Sequence, residues 1–133
     1  MNGGDFSSLN VMAVEDESFS QTVLAKVLEE VGVASVTVAE NGAEALDKLA
    51  QAEPKIDLVV CDIEMPEMGG YEFVRQVRYG AVPGYKDIPV IMLTGKDTDL
   101  NTQRALIHKI NGFLVKPAQP NTLGDTIRRA LGR

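Results

Sequence analysis

Five short apolar runs punctuate the chain: Leu9 to Val14, Val33 to Val38, Ile56 to Cys61, Val90 to Leu93 and Gly112 to Val115. They are rich in Val, Ile, Leu or Phe and do not alternate strictly with polar residues, as expected of strands buried on both faces. The segments between them carry helical periods. Phe19, Val23, Val27 and Val31 recur at every fourth position, with Ser18 placed to cap the helix start and Gly32 to stop it. Ala43, Leu46 and Leu49 repeat at every third position before Pro54, and Tyr71, Val74 and Val77 do the same after Gly69-Gly70. A weaker period, Leu100, Ala105 and Leu106, marks a helix from Thr98 to Lys109 that ends at Asn111-Gly112. Leu123, Ile127 and Leu131 form the last stripe. Five strands alternating with five helices predict an α/β fold, a parallel sheet covered on both faces.

Composition narrows this picture. At 133 residues the chain suits one domain, and no repeat or linker-like stretch divides it. Residues 1–8 are read as a loosely ordered polar leader, without the basic and apolar regions of a signal peptide, and residues 9–133 as the domain. No apolar run approaches the ~18 residues of a membrane span. A formal charge of −6 argues against nonspecific nucleic-acid binding and against a polybasic membrane anchor. One cysteine, Cys61, excludes an internal disulfide and fits a reducing compartment, so a cytoplasmic location is expected. It is read as an inert core residue.

In parallel α/β sheets, reactive groups gather at the carboxyl ends of the strands, beside the point where strand order reverses. The first strand runs into Glu15-Asp16, the third into Asp62, the fourth into Thr94 and the fifth into Lys116. Three carboxylates crowded at one edge would repel one another unless a cation joined them. An all-oxygen site of this kind suits Mg²⁺ and leaves room for a phosphate oxygen. Zinc is disfavoured, because Cys61 and His108 have no second partner of their kind. A carboxylate beside Mg²⁺ can attack phosphorus, with an ammonium and a hydroxyl stabilising the phosphoryl oxygens. Taken singly, each group is ordinary: a solvated acidic pair, a turn-capping Asp, a strand-end Thr, a surface Lys. Their joint occurrence in register separates this pattern from chance. Gly95-Lys96 does not open a nucleotide-binding loop, since Val90 stands where the first Gly would be and Asp97 where Ser or Thr would be.

At these residues the chain resembles the receiver domains of two-component response regulators, of the chemotaxis-regulator type. The matching pieces are Val14-Glu15-Asp16, the run from Val59 through Asp62-Ile63-Glu64-Met65-Pro66-Glu67-Met68 to Gly70, Ile91 to Gly95, and Phe113-Leu114-Val115-Lys116-Pro117. The resemblance spans about Leu9 to Leu131. It implies a flavodoxin-like (βα)5 doubly wound sheet with strand order 2-1-3-4-5. It also implies that Asp62 is the phosphoacceptor, and that Glu15, Asp16, Asp62 and the backbone carbonyl of Glu64 hold Mg²⁺. Thr94 and Lys116 would bind the phosphoryl oxygens, Gly95 would leave them room, and Thr94 and Phe113 would form the switch. The Lys116-Pro117 peptide would be cis. Glu64 and Lys96, two residues after Asp62 and Thr94, would tune the phosphoryl lifetime. The implied partners are a sensor histidine kinase or histidine phosphotransfer protein as donor, and a downstream protein target. The target would meet the face built from the fourth helix, fifth strand and fifth helix, which carries His108, Lys109, Arg128 and Arg129.

Three positions and one loop depart from the family pattern. Gly69 replaces the usual cap of the third helix, Glu15 replaces a more frequent Asp, and Ala118 is small. The loop from Tyr79 to Asp87 is slightly long, as in receivers attached to hybrid kinases. A receiver piece of a hybrid kinase, or a phosphorelay intermediate, is therefore the alternative reading. An aspartyl-phosphate-forming phosphatase is disfavoured, because Glu64 stands where a second Asp would serve as general acid and the chain has no length for a cap. A receiver that takes no phosphate would be expected to lack one of these groups, and none is missing. The expectation is a switch with self-phosphorylation and self-dephosphorylation chemistry, not a turnover enzyme.

Overall fold

The computed structural model describes residues 6–95 and 109–132. Its elements are β1 (Asn10–Val14), α1 (Ser18–Val31), β2 (Ser35–Ala39), α2 (Gly42–Gln51), β3 (Leu58–Asp62), α3 (Gly70–Arg78), β4 (Val90–Thr94), β5 (Gly112–Val115) and α4 (Pro120–Ala130). Helix α4 carries the last of the predicted stripes. The predicted helix from Thr98 to Lys109 lies, but for Lys109, outside the described residues. The strands form one parallel sheet in the order β2-β1-β3-β4-β5, as expected.

Side chains alternate between two cores because successive residues of a strand point to opposite faces. Met12, Val14, Val59, Cys61, Val90 and Met92 meet Leu49 of α2 and Phe73 and Val77 of α3. Val11, Ala13, Val60, Ile91 and Leu93 meet Leu24 and Leu28 of α1 and Leu123 and Ile127 of α4. Every residue of β3 is buried, which fits a central strand covered on both sides.

The helices differ from expectation in their faces. The buried face of α1 is Leu24, Val27 and Leu28, and Phe19, placed on the apolar stripe by the four-residue period, is 72% exposed. Burial follows the mixed three- and four-residue spacing of a real helical face, and an exact four-residue period drifts off it. The cap of α1 is also one residue earlier than Ser18: the Glu17 carboxylate accepts hydrogen bonds from the Phe19 and Ser20 amides. Gly32 ends the helix as expected, with φ 98° in the left-handed region that glycine tolerates. In α2 the buried residues are Gly42, Ala45 and Leu49, and Ala43 is exposed. Residues Val33 and Ala34, predicted to open β2, form the turn after α1, where the Ala34 amide bonds the Leu9 carbonyl at 2.8 Å. Phe6, assigned to the leader, is 3% exposed and packs into the α1/α4 core, with the Arg128 guanidinium 5.9 Å from its ring.

Candidate functional site

Strand register carries the site residues to one edge. Val14 pairs with Cys61, so the next residue of each strand sets Glu15 beside Asp62. Asp62 pairs with Leu93 and Thr94 with Val115, which brings Thr94 and Lys116 to the same edge one and two strands away. The Lys116 amide donates to the Thr94 carbonyl at 2.8 Å, extending that ladder by one bond. The Lys116-Pro117 peptide is cis.

Glu15, Asp16 and Asp62 each offer a carboxylate oxygen, and these oxygens lie within 4.8 Å of one another. The Lys116 ammonium stands 2.7 Å from Glu15 Oε1 and 3.1 Å from Asp62 Oδ2. Glu15 is 2% exposed and Asp62 7%, whereas Asp16 is exposed. Glu15 is fixed at several points. Its second carboxylate oxygen accepts the Glu17 amide at 3.2 Å, its carbonyl accepts Gln21 Nε2 at 2.7 Å, and its own amide bonds Ala39.

The electrostatics follow from these distances. Burial, and then the negative charge of Glu15, raise the Asp62 carboxyl above its ordinary value, and the contact with Lys116 only partly opposes them. Burial works against the charged form of Lys116, but the hydrogen bonds and charges of Glu15 and Asp62 together outweigh it and hold the ammonium above the usual lysine range. One amine against three carboxylates leaves an excess of negative charge on an all-oxygen donor set. That arrangement fits a hard divalent cation such as Mg²⁺. The Cys61 thiol next door is pushed up by burial and by the charges of Asp62 and Glu15, which keeps it a neutral, unreactive thiol.

The chain leaves Asp62 through a tight turn. The Ile63 amide bonds the Leu93 carbonyl at 3.2 Å, and the Gly70 amide returns to the Ile63 carbonyl at 2.8 Å. A Cβ at Gly70 would run into the Asp62 carbonyl oxygen and come within 2.7 Å of Met92 Cε, so this approach admits only glycine. Gly69 caps α3 without a side-chain bond, as its lack of a side chain predicts. The side chain of Glu64 is exposed, and Gly95 follows Thr94 at the surface. Phe113 pairs with Met92 across the sheet and packs, partly buried, on the α2/α3 core. Lys96 and His108 lie outside the described residues. Lys109 is exposed, while Arg128 pairs with Asp125 at 2.8 Å and Arg129 with the Thr126 hydroxyl.

Phe19 was missed as a feature of this edge. With Val23, Leu24, Leu93, Pro117 and Ala118 it lines a cavity of about 230 Å³ that ends on Glu15 and Lys116. The small Ala118 and the hydrophobe just after the acidic pair were the signals available in the sequence. No described helix is long and apolar enough to cross a membrane.

Known proteins share this fold and sequence pattern. The profile of the response regulator receiver domain matches residues 11–128. The chain is 34% identical to the chemotaxis protein CheY1 of Helicobacter pylori strain J99, over 93% of this chain and 98% of that protein. The solved chemotaxis protein CheY4 of Vibrio cholerae superposes with a TM-score of 0.82 at 34% identity, covering 92% of this chain and 98% of the other. A receiver domain from a Pseudomonas aeruginosa sensor histidine kinase, solved with a magnesium ion coordinated in its active-site cleft, superposes with a TM-score of 0.80 at 25% identity, covering 95% of this chain and 99% of the other.

Proposed function

We propose, from the premise that this chain belongs to the response regulator receiver domain family, that it is a phosphorylation-dependent signalling switch with Asp62 as phosphoacceptor. The observation that carries this reading is the convergence of Glu15, Asp16 and Asp62, with the Lys116 ammonium in contact with two of them. The donor is a phosphohistidine on a sensor kinase or a histidine phosphotransfer protein. An Asp62 oxygen forms the bond to phosphorus as the phosphorus–nitrogen bond breaks, and the electron pair of that bond goes to the imidazole.

Glu15, Asp16, Asp62 and the backbone carbonyl of Glu64 are the groups that would hold Mg²⁺, which when bound neutralises charge on the phosphoryl oxygens. With both its carboxylate oxygens already engaged, Glu15 suits contact with the ion through water. Lys116 offers its ammonium to one phosphoryl oxygen and Thr94 its hydroxyl to another, while Gly95 leaves them space. Nothing further is needed for the group to be lost again to water, so the chemistry is that of a switch and not of a turnover enzyme. The Glu64 side chain at the mouth, with Lys96, sets how long the phosphoryl group survives.

The response is a population shift. Drawing Thr94 toward the phosphoryl group frees space for Phe113 to turn inward, and the face of β5 and α4, with the helix expected from the sequence between Thr98 and Lys109, changes shape. That face, with His108, Lys109, Arg128 and Arg129, meets a downstream protein in the cytoplasm. In a hybrid kinase or a phosphorelay the same chemistry would instead pass the group onward.

Intact mass after incubation with Mg²⁺ and a small phosphodonor tests the assignment. The expected result is a gain of one phosphoryl group, abolished by chelation and by Asp62→Asn. An equal gain in Asp62→Asn would refute it.

A further inference from the structure

The turn from Ile63 to Gly69 follows the phosphoacceptor, and its outer part is tied to the start of α2. The Gly42 amide donates to the Met68 carbonyl at 3.0 Å, and Asn41 Nδ2 donates to Glu67 Oε2 at 3.1 Å. Asn41 does two jobs at once, because its Oδ1 accepts the Glu44 amide at 2.9 Å and so caps α2. Gly42 lies so close to Met68 that a Cβ there would stand 2.7 Å from Met68 Cγ. Glu67 has φ 66°, a left-handed conformation that few non-glycine residues adopt. A glutamate kept in that conformation, with its carboxylate on a neighbouring helix start, points to a role for the side chain that glycine could not fill.

We propose that Asn41 and Glu67 form a clamp that positions the 63–69 turn, and with it the Glu64 carbonyl, for the divalent cation. The clamp rests on the metal-site reading given above and adds two positioning residues that touch neither the ion nor the phosphoryl group. It also gives α2, which carries none of the site groups, a physical connection to the site.

Capping and clamping can be separated. Asn41→Asp keeps an oxygen for the Glu44 amide but replaces the donor to Glu67 with a second carboxylate. Added negative charge near the site would by itself tighten Mg²⁺ binding, so a fall in affinity isolates geometry. Exchanging both side chains, Asn41→Asp with Glu67→Gln, restores a donor–acceptor pair at unchanged net charge.

Mg²⁺ alone is the probe, titrated calorimetrically into the intact chain. Expected are about a tenfold weaker dissociation constant for Asn41→Asp, within the range that groups orienting a metal's ligands contribute, and recovery to within about twofold in the double exchange. Gly42→Ala, which pushes on Met68 from the other side, is expected to weaken binding as well. If Asn41→Asp binds Mg²⁺ as tightly as the wild type, or the double exchange fails to restore it, the clamp is refuted. If the wild type binds no Mg²⁺, the metal site itself is refuted, and the clamp with it.

Discussion

The two halves of the sheet are built differently. β3 is buried along its whole length and flanked on both sides, whereas β5 is an edge strand whose residues are partly or fully exposed. Asp62 ends the first and Lys116 follows the second. The carboxylates of the proposed site stand at the ends of β1 and β3, where Glu15 is pinned by four hydrogen bonds, counting those made by its amide, its carbonyl and both carboxylate oxygens. The proposed responding residues, Thr94 and Phe113, lie toward the edge and are only partly buried. A switch needs this asymmetry: a fixed place for charge to appear, and a neighbouring strand whose packing can change at modest cost.

Aromatic truncation should expose the contrast most strongly. Phe73→Ala, in the middle of the α2/α3 core, is expected to cost about 3–5 kcal/mol in denaturant unfolding. Phe113→Ala should cost roughly 1–2 kcal/mol, since less of its ring leaves water on folding, and should still take up a phosphoryl group while losing the response of its partner face. Equal losses for the two would erase the distinction between fixed and responsive halves. Gly70→Ala tests the fixed half from inside. Its Cβ would meet the Asp62 carbonyl and Met92, and a loss of about 2–3 kcal/mol is expected by the same unfolding measurement. At the other extreme, Phe19→Ala should leave stability within about 0.5 kcal/mol, because the ring is exposed.

Much of this was legible from periodicity. Buried parallel strands announce themselves as short apolar runs, and once they are aligned their last residues collect Glu15, Asp16, Asp62, Thr94 and Lys116 without further information. The strand order came with the resemblance, since alternation alone does not rank strands. Helix faces were harder to read. Phe19 sits four residues before Val23 yet points to solvent, and Glu17 took the capping role from Ser18 because its longer carboxylate reaches two amides. The tie between Lys116 and Glu15 joins residues distant in sequence and depends on where two loops arrive in space. The Asn41–Glu67 bond depends on a backbone conformation, φ 66° at Glu67, that no composition signal marks.

A further expected effect lies in pH dependence. Asp62 has its carboxyl raised in the folded protein by burial and by Glu15. A raised folded value means this group favours folding below the ordinary aspartate range, about pH 3.9, and that the contribution disappears as pH rises through the folded value. Without a divalent cation, the melting temperature of Asp62→Asn minus that of the wild type should therefore grow more positive from acid to neutral pH. A constant difference would mean that the Asp62 charge carries no net cost in the fold.

The same charge gives the most direct test of the central claim, that three carboxylates and one amine form a site short of positive charge. Thermal melts at neutral pH should show Mg²⁺ raising the wild-type midpoint, with about 2.7 kcal/mol of stabilisation at a hundred times its dissociation constant. Asp62→Asn should start higher without the ion and respond far less to it. A wild type indifferent to Mg²⁺, or an Asp62→Asn variant that responds as strongly, would contradict the account.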